Sequence, residues 1–413
     1  MDFKFSLNEL LYKKILLEEE IKHKLSYESL IKGSKDYHAS KKPVHCGMTV
    51  HSVIGCSYRC TYCYVPDMGI SYAEAKPYGL SGEEMVYALL KNPYFLPGKL
   101  GTYIALGSVG EPFHPSGKQK TLEYIHFFSK YLHNPLQFST KSFISNDIAK
   151  TLASIKGVSL SPLITLITLD KSEKLEPGAP SPYERLESIK NLRKSGLHPL
   201  LFLRPVIPGI NDEEAIDVMR EAKRCGASGV VIGGFRITKS ILLRLEKAGF
   251  NTSKINEEIK RKIKRGVQLS VNIRNVKLKL VKEARKIGLI PFLSACCGNT
   301  FNAYLMTKER VPCAGLDYIE GTYCTGCPVN CRNIETKIDE DEVISSLKRI
   351  DNTISINRVE IDRYKIKILA NDKRSLRILK KQKIKIIAET AYRRKLLVHK
   401  KEAMTRHEGE VSH

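Results

Sequence analysis

The chain has 413 residues, 42% hydrophobic and 27% charged, with a formal net charge of +24, the balance of a globular protein able to bury a sizeable core. No apolar run reaches bilayer-spanning length, and the start, Met1-Asp-Phe-Lys-Phe-Ser6, lacks the basic-then-apolar order of a secretion signal; a cytoplasmic protein with no membrane partner is expected. Eleven cysteines in such a chain argue for metal or redox use rather than disulfides.

Residues 7 to 32 carry Leu7, Leu10, Leu11, Ile15, Leu16 and Ile21 at helical spacing, which predicts one or two amphipathic helices packed outside the main fold. A polar stretch, Gly33 to Lys42, follows. From Val44 onward short β runs alternate with helical patterns. Met48–Ile54, Thr102–Leu106, Leu136–Ser139, Leu163–Leu169, Leu200–Val206 and Gly229–Ile232 read as six strands. Ser81 with Glu84, and Ser181-Pro182 with Glu184, read as capped helix starts. Strict alternation with buried apolar strands implies an α/β fold built on a parallel sheet.

Directly after the first run comes Cys56-Ser-Tyr-Arg-Cys60-Thr-Tyr-Cys63. Three thiolates at this spacing hold three irons of a cubane and leave the fourth iron without a protein ligand, a place for substrate or cofactor. The alternatives are a zinc site, which generally wants four ligands, or cysteines that merely share a loop. With Tyr62 before the third cysteine, the motif resembles the radical S-adenosylmethionine (radical SAM) superfamily. That resemblance implies a partial (β/α)6 barrel, a [4Fe-4S] cluster on Cys56, Cys60 and Cys63, and SAM chelated at the open iron. It also implies reductive cleavage of SAM to a 5′-deoxyadenosyl radical.

The loops after the strands extend the resemblance. Gly110-Glu111, after the second strand, resembles the superfamily motif that holds the SAM ammonium, although Gly-Glu-Pro is also an ordinary turn. Lys141, in Ser139-Thr-Lys-Ser142, stands at the barrel mouth, where an ammonium needs an anionic partner such as the SAM carboxylate. Thr165 or Thr168 is placed to reach the SAM ribose, and Arg204-Pro-Val-Ile-Pro208-Gly209-Ile-Asn211 reads as the adenine-side wall. Tyr62, Gly110, Glu111, Lys141, Thr168 and Arg204 are therefore the expected cofactor-binding residues. Together with the Glu176-Pro to Glu184-Arg-Leu run, this ordered set over residues 45 to 235 resembles the spore photoproduct lyase and DNA-repair-photolyase-like branch. The likeness carries fold and SAM chemistry further than substrate.

Beyond residue 235, Ser253 to Arg265 reads as a helix ending in a basic cluster, and Val276–Ile287 as a helix before a strand, Leu289–Leu293. Cys296 and Cys297 follow, expected near the barrel mouth as catalytic hydrogen-atom donors or metal ligands, against the plainer reading of buried free thiols. Cys313, Cys324, Cys327 and Cys331 form a second group with the spacing of a further [4Fe-4S] cluster or a zinc site. Lone Cys46 and Cys225 read as packing residues.

Residues 336–413 read as a small α+β domain: a helix over Glu342–Ile350, strands over Val359–Leu369 and Lys383–Ala388, and a disordered last dozen. Lys380 to Lys385 and Arg393-Arg-Lys395, with Tyr364 and Tyr392 among them, give it a cationic face suited to DNA or RNA phosphates, or simply a solvated one. The expected organisation is a helical extension (1–44), a barrel (45–295), a Cys-rich segment (296–335) and this basic domain (336–413). The expected function is a radical SAM enzyme acting on a macromolecule, most readily nucleic acid, with an electron donor such as ferredoxin or flavodoxin. A protein or peptide substrate is the alternative within that class. A non-enzymatic metal-containing nucleic-acid-binding protein is the alternative outside it.

Overall fold

A computed structural model describes residues 5–43, 47–259, 261–264, 266–313, 324–334 and 336–400. Cys46 and the last dozen residues, both subjects of expectations above, lie outside the described residues. The strands, in chain order, are β1 (Met48–Val50), β2 (Val53–Gly55), β3 (Ala75–Pro77), β4 (Ile104–Leu106), β5 (Leu136–Thr140), β6 (Leu160–Thr165) and β7 (Leu200–Leu203). They continue with β8 (Gly229–Ile232), β9 (Arg236–Ile237), β10 (Leu269–Ser270), β11 (Ile290–Phe292), β12 (Ile356–Ile361), β13 (Lys365–Ala370) and β14 (Lys395–Lys400).

One seven-stranded sheet, in the order β1-β4-β5-β6-β7-β8-β11, forms the frame. All its pairings are parallel, so the fold is α/β with a partial barrel, one strand longer than the six expected. Alternate strand residues face opposite ways. Ile104, Leu106, Leu136, Phe138, Leu201 and Val230 meet Met85, Leu89, Ile189, Val218, Met219 and Leu280 of the outer helices in the main core. Both sequence-read capping boxes, Ser81/Glu84 and Ser181/Glu184, are formed.

The helix Ala295–Thr307 does not join that outer layer. Phe301 packs with Leu163, Leu200, Val231 and Phe292 on the opposite, concave face. Asn299 donates to the Leu136 carbonyl (3.0 Å) and Asn302 to the Ser161 hydroxyl (2.8 Å). Gly298 permits the approach, since a Cβ there would stand 2.7 Å from Leu200 Cδ1.

Several expected boundaries moved for local reasons. The strand expected over Leu163–Leu169 starts at Leu160, where it pairs with Leu136 of β5. The helix expected over Ser253–Arg265 stops at Glu257, and the Glu258 carbonyl accepts from the Asn272 N–H of the segment that follows β10. Val359–Leu369 is not one strand but the antiparallel pair β12/β13; Asp362 turns the chain by accepting from Tyr364 N and Lys365 N (2.7 and 2.8 Å). Lys383–Ala388 is not a strand but part of the helix Gln382–Tyr392, which buries Ile384, Ile387, Ala388, Ala391 and Tyr392.

The N-terminal segment forms two helices, Leu7–Lys22 and Tyr27–Lys35, and it does more than lie on the barrel. Phe5, Leu7 and Leu10 enter the core of the C-terminal unit beside Val343, Ile368 and Ile387, whereas Ile21 enters the barrel core. Glu342 secures the joint by accepting from Ser6 Oγ (2.9 Å), Asn8 N (3.0 Å) and Tyr392 OH (2.5 Å). Among the described residues no helix is long and apolar enough to cross a membrane.

Candidate functional site

Residues 56 to 63 form a loop leaving β2, and the ends of several sheet strands hold it. Thr61 N–H donates to the Leu175 carbonyl (2.9 Å), Gly178 N–H donates to the Tyr58 carbonyl (3.0 Å), and Tyr64 OH donates to the Ser108 carbonyl (2.6 Å). The hydroxyls of Tyr58 and Ser142 lie 2.6 Å apart, and Ser57 Oγ stands 2.8 Å from His114 Nε2. Those partners follow β4, β5 and β6, so the loop sits over the carboxyl ends of the strands, where sites of such folds lie. Gly55 starts it at φ +79, and a Cβ there would stand 2.2 Å from the Glu74 carbonyl oxygen.

Cys60 is buried and Cys56 and Cys63 are half-buried. Burial pushes the Cys56 thiol up to about 12, with Glu111 adding to the effect, and raises Cys60 and Cys63 as well. Thiols so placed become thiolates when a metal deprotonates them. Tyr58 N–H already donates to Cys56 Sγ (3.4 Å) and Val65 N–H to Cys63, hydrogen bonds suited to anionic sulfur. The donor chemistry of the loop thus fits an iron–sulfur cluster.

Lys141 is brought to this loop. Its ammonium lies 5.5 Å from the centre of the Tyr62 ring. Burial would lower its pKa, but Cys60, Glu176, Glu111 and Cys63 outweigh that and raise it. Glu111, next to Gly110, is buried and its carboxylate is well supplied with donors: Thr140 OH, Lys141 N–H (3.0 Å) and Phe113 N–H (3.3 Å). Gly110 bridges to Gly55, and a Cβ on it would stand 2.3 Å from the Val53 carbonyl oxygen.

The Tyr62 hydroxyl donates to Glu176, which pairs with Arg185 at 2.6 Å; Arg185 also donates to the Thr165 carbonyl (3.2 Å). Thr168 is fully buried and its hydroxyl is spent on Glu214 (2.7 Å), a carboxylate that also accepts from Leu169 N and Asp170 N. Arg204 is exposed at the end of β7, and the bond to Pro205 is cis. Asn211, in the same loop, ties Ile207 N to the carbonyls of Ile167 and Pro205.

Sequence reasoning missed Arg244. It donates to the carbonyls of Thr61 (3.0 Å) and Cys63 and lies 5.7 Å from the Tyr72 ring. It also missed Asp67, which accepts from Thr238 (2.6 Å) and Ser240 and ties the end of the cysteine loop to the helix carrying Arg244. Nothing in the local sequence marks these residues, which are more than 170 positions from their partners.

The later cysteines gather elsewhere. Cys296 and Cys297 stand on the concave-face helix rather than at the mouth: Cys296 packs with Tyr103, which precedes β4. Among the described residues, Cys296, Cys297 and Cys313 are the trio of such side chains whose ligand atoms lie within 4.8 Å of one another. Cys331 packs against Cys296 and Cys313, Cys327 is half-buried and Cys324 is exposed. A cavity of about 280 Å³ opens at this amino-terminal end of the strands, lined among others by Lys99, His133, Pro135, Cys296 and Arg393. It lies at the end opposite the 56–63 loop.

Residues 50–222 match the family model of the radical SAM superfamily, whose members use a [4Fe-4S] cluster and SAM. An uncharacterized protein of Methanocaldococcus jannaschii is 28% identical over 195 residues, covering 45% of this chain and 70% of that protein. An uncharacterized protein of Mycobacterium tuberculosis (strain H37Rv) is 25% identical over 204 residues, covering 46% of this chain and 59% of that protein. The match thus spans less than two thirds of the mycobacterial relative. Among solved structures, a spore photoproduct lyase mutant with bound AdoMet and dinucleoside spore photoproduct aligns with a TM-score of 0.48 at 15% identity, covering 62% of this chain and 79% of that one. A radical SAM methyltransferase from Sphaerobacter thermophilus aligns at 0.39 and 15%, covering 59% and 64%. The parallel sheet, with its three-cysteine loop at the carboxyl ends of the strands, coincides with the matched segment, so residues 50–222 carry a radical SAM domain.

Proposed function

We propose that the chain cleaves S-adenosylmethionine reductively and directs the resulting radical at a nucleic-acid substrate. Cys56, Cys60 and Cys63 would hold a [4Fe-4S] cluster, which when bound would supply the electron for splitting the sulfonium bond, drawn from a donor such as ferredoxin or flavodoxin. The observation that carries the reading is the arrangement of one loop: three thiols over the strand ends, with the Lys141 ammonium beside them. Lys141 offers the charge that a SAM carboxylate requires. Glu111 orients Lys141 through its backbone N–H, while Arg204 and the loop pinned by Asn211 wall the nucleoside side. Arg244 and the Tyr62–Glu176–Arg185 chain hold the loop in register.

The nucleic-acid part of the proposal rests on charge. The chain carries +24 overall. Lys365 and Lys367 are exposed on β13, and Lys380, Lys381, Lys383 and Lys385 are exposed along the C-terminal helices. The test is anaerobic reconstitution with iron, sulfide, dithionite and SAM. 5′-Deoxyadenosine should form, and Cys56→Ala, Cys60→Ala or Cys63→Ala should each abolish it. No 5′-deoxyadenosine in the presence of DNA and RNA oligonucleotides sinks the cleavage reading. Binding to those oligonucleotides that is absent at low salt sinks the substrate reading.

A further inference from the structure

We propose that Cys296, Cys297, Cys313 and Cys331 form a mononuclear tetrahedral thiolate site, the chemistry of zinc, buried against the concave face of the sheet and separate from the 56–63 loop. Distance decides the kind of metal. Thiolates about 2.3 Å from a zinc ion stand about 3.8 Å from one another at the corners of a tetrahedron. The first three sulfurs already lie within 4.8 Å of one another. Thiolates on different corners of a cubane stand farther apart, because the cluster lies between them. Tetrahedral all-sulfur coordination suits zinc or a lone iron.

Cys331 completes the set. It packs against Cys296 and Cys313, and its sulfur accepts from the Cys313 backbone N–H. Ser294 Oγ stands 3.0 Å from Cys296 Sγ, a further hydrogen-bonding group for an anionic ligand.

A second observation points to a buried anion. Arg393, 2% exposed, comes from the C-terminal unit; its guanidinium donates to the Pro312 and Leu100 carbonyls, while its Nη1 has no hydrogen-bond partner among the described residues. A cation buried with only carbonyl partners is costly. Four thiolates around a divalent ion carry a net double negative charge, and Arg393 reaches that point by donating to the carbonyl of Pro312, the residue before Cys313. The ion therefore joins the concave-face helix to the segments at Cys313 and Cys331, and Arg393 ties the C-terminal unit to the same point.

The test uses the full chain purified from zinc-supplemented cells. Element-resolved analysis of the Cys56→Ala/Cys60→Ala/Cys63→Ala variant should find one zinc per chain, with X-ray absorption giving four sulfur neighbours at about 2.3 Å. A lone iron with four sulfur neighbours supports the same site. Cys297→Ser and Cys331→Ser should release the ion to a chelator many times faster, while Cys324→Ser leaves it in place. Absorption on the unsubstituted chain covers the case of variants that do not fold. Four irons retained by the triple variant, nitrogen or oxygen in place of sulfur around the zinc, or no bound metal with all four thiols titrating free would each overturn the proposal.

Discussion

Glu176 and Arg185 are both fully buried, 2.6 Å apart, and the Tyr62 hydroxyl rests on the same carboxylate. Removing one partner strands the other charge away from water, so Glu176→Ala should destabilise the chain by about 3–5 kcal/mol, read from the urea midpoint. The same change should loosen Tyr62 and lower iron retention after gel filtration. His51 is a second buried group with a consequence. Burial, with help from Lys41 and His38, pushes it down to about 3. The unfolded chain takes up this proton near pH 6.5, whereas the folded one does not. Its contribution to stability is complete above that pH and falls away as pH drops toward 3. Urea midpoints of the cluster-free triple-alanine variant should therefore decline from pH 7 to pH 5, and His51→Phe should flatten the decline. The shared loop of Cys56, Cys60 and Cys63 was legible from motif spacing, and the place of Lys141 beside it from its position after the third expected strand. The partner of Thr168 was not legible: only the fold brings Glu214 against its hydroxyl.

Local periodicity read most barrel strands well, since buried parallel strands between capped helices are locally consistent, but the run expected over Met48–Ile54 is two short strands, β1 in the main sheet and β2 paired with β3. It misread Lys383–Ala388, where Lys-Ile-Lys-Ile alternates like a strand. The deciding pattern, Ile384, Ile387, Ala388, Ala391 and Tyr392, needs a longer window to appear. Gly178 shows how one element sets another: a Cβ there would stand 2.8 Å from the Ser57 carbonyl oxygen. Gly178→Ala should push the cysteine loop aside, lowering iron content and 5′-deoxyadenosine yield with little change in melting temperature. Ser181→Ala removes a formed cap and should cost about 1 kcal/mol without affecting iron content.

The two cores share one helix, Leu7–Lys22, and the C-terminal unit reaches back to the barrel through Arg393. This reverses part of the charge reading. Arg393 and Arg394 are 2% and 3% exposed and Tyr392 is fully buried, so none of the three meets phosphate. The nucleic-acid face has to come from Lys365, Lys367 and the helical lysines. Reversing Lys380, Lys381 and Lys383 to glutamate should weaken oligonucleotide binding and flatten its salt dependence by about 0.7–0.9 per lost phosphate contact. Reversing Glu19 and Glu20, exposed on the N-terminal helix, should leave that slope unchanged.

Three cysteines on one loop, capped helices and apolar strands were settled by short-range order, because metal-ligand spacing and hydrogen-bonded periodicity are local properties. Distant partners were not. Arg244 meets Cys63, Glu342 joins the first helix, and Cys296 and Cys297 meet Cys313 only after the sheet has closed and laid its last helix on the inner face. Contacts between residues far apart in the chain depend on how every intervening element packs, and no spacing along the backbone encodes that.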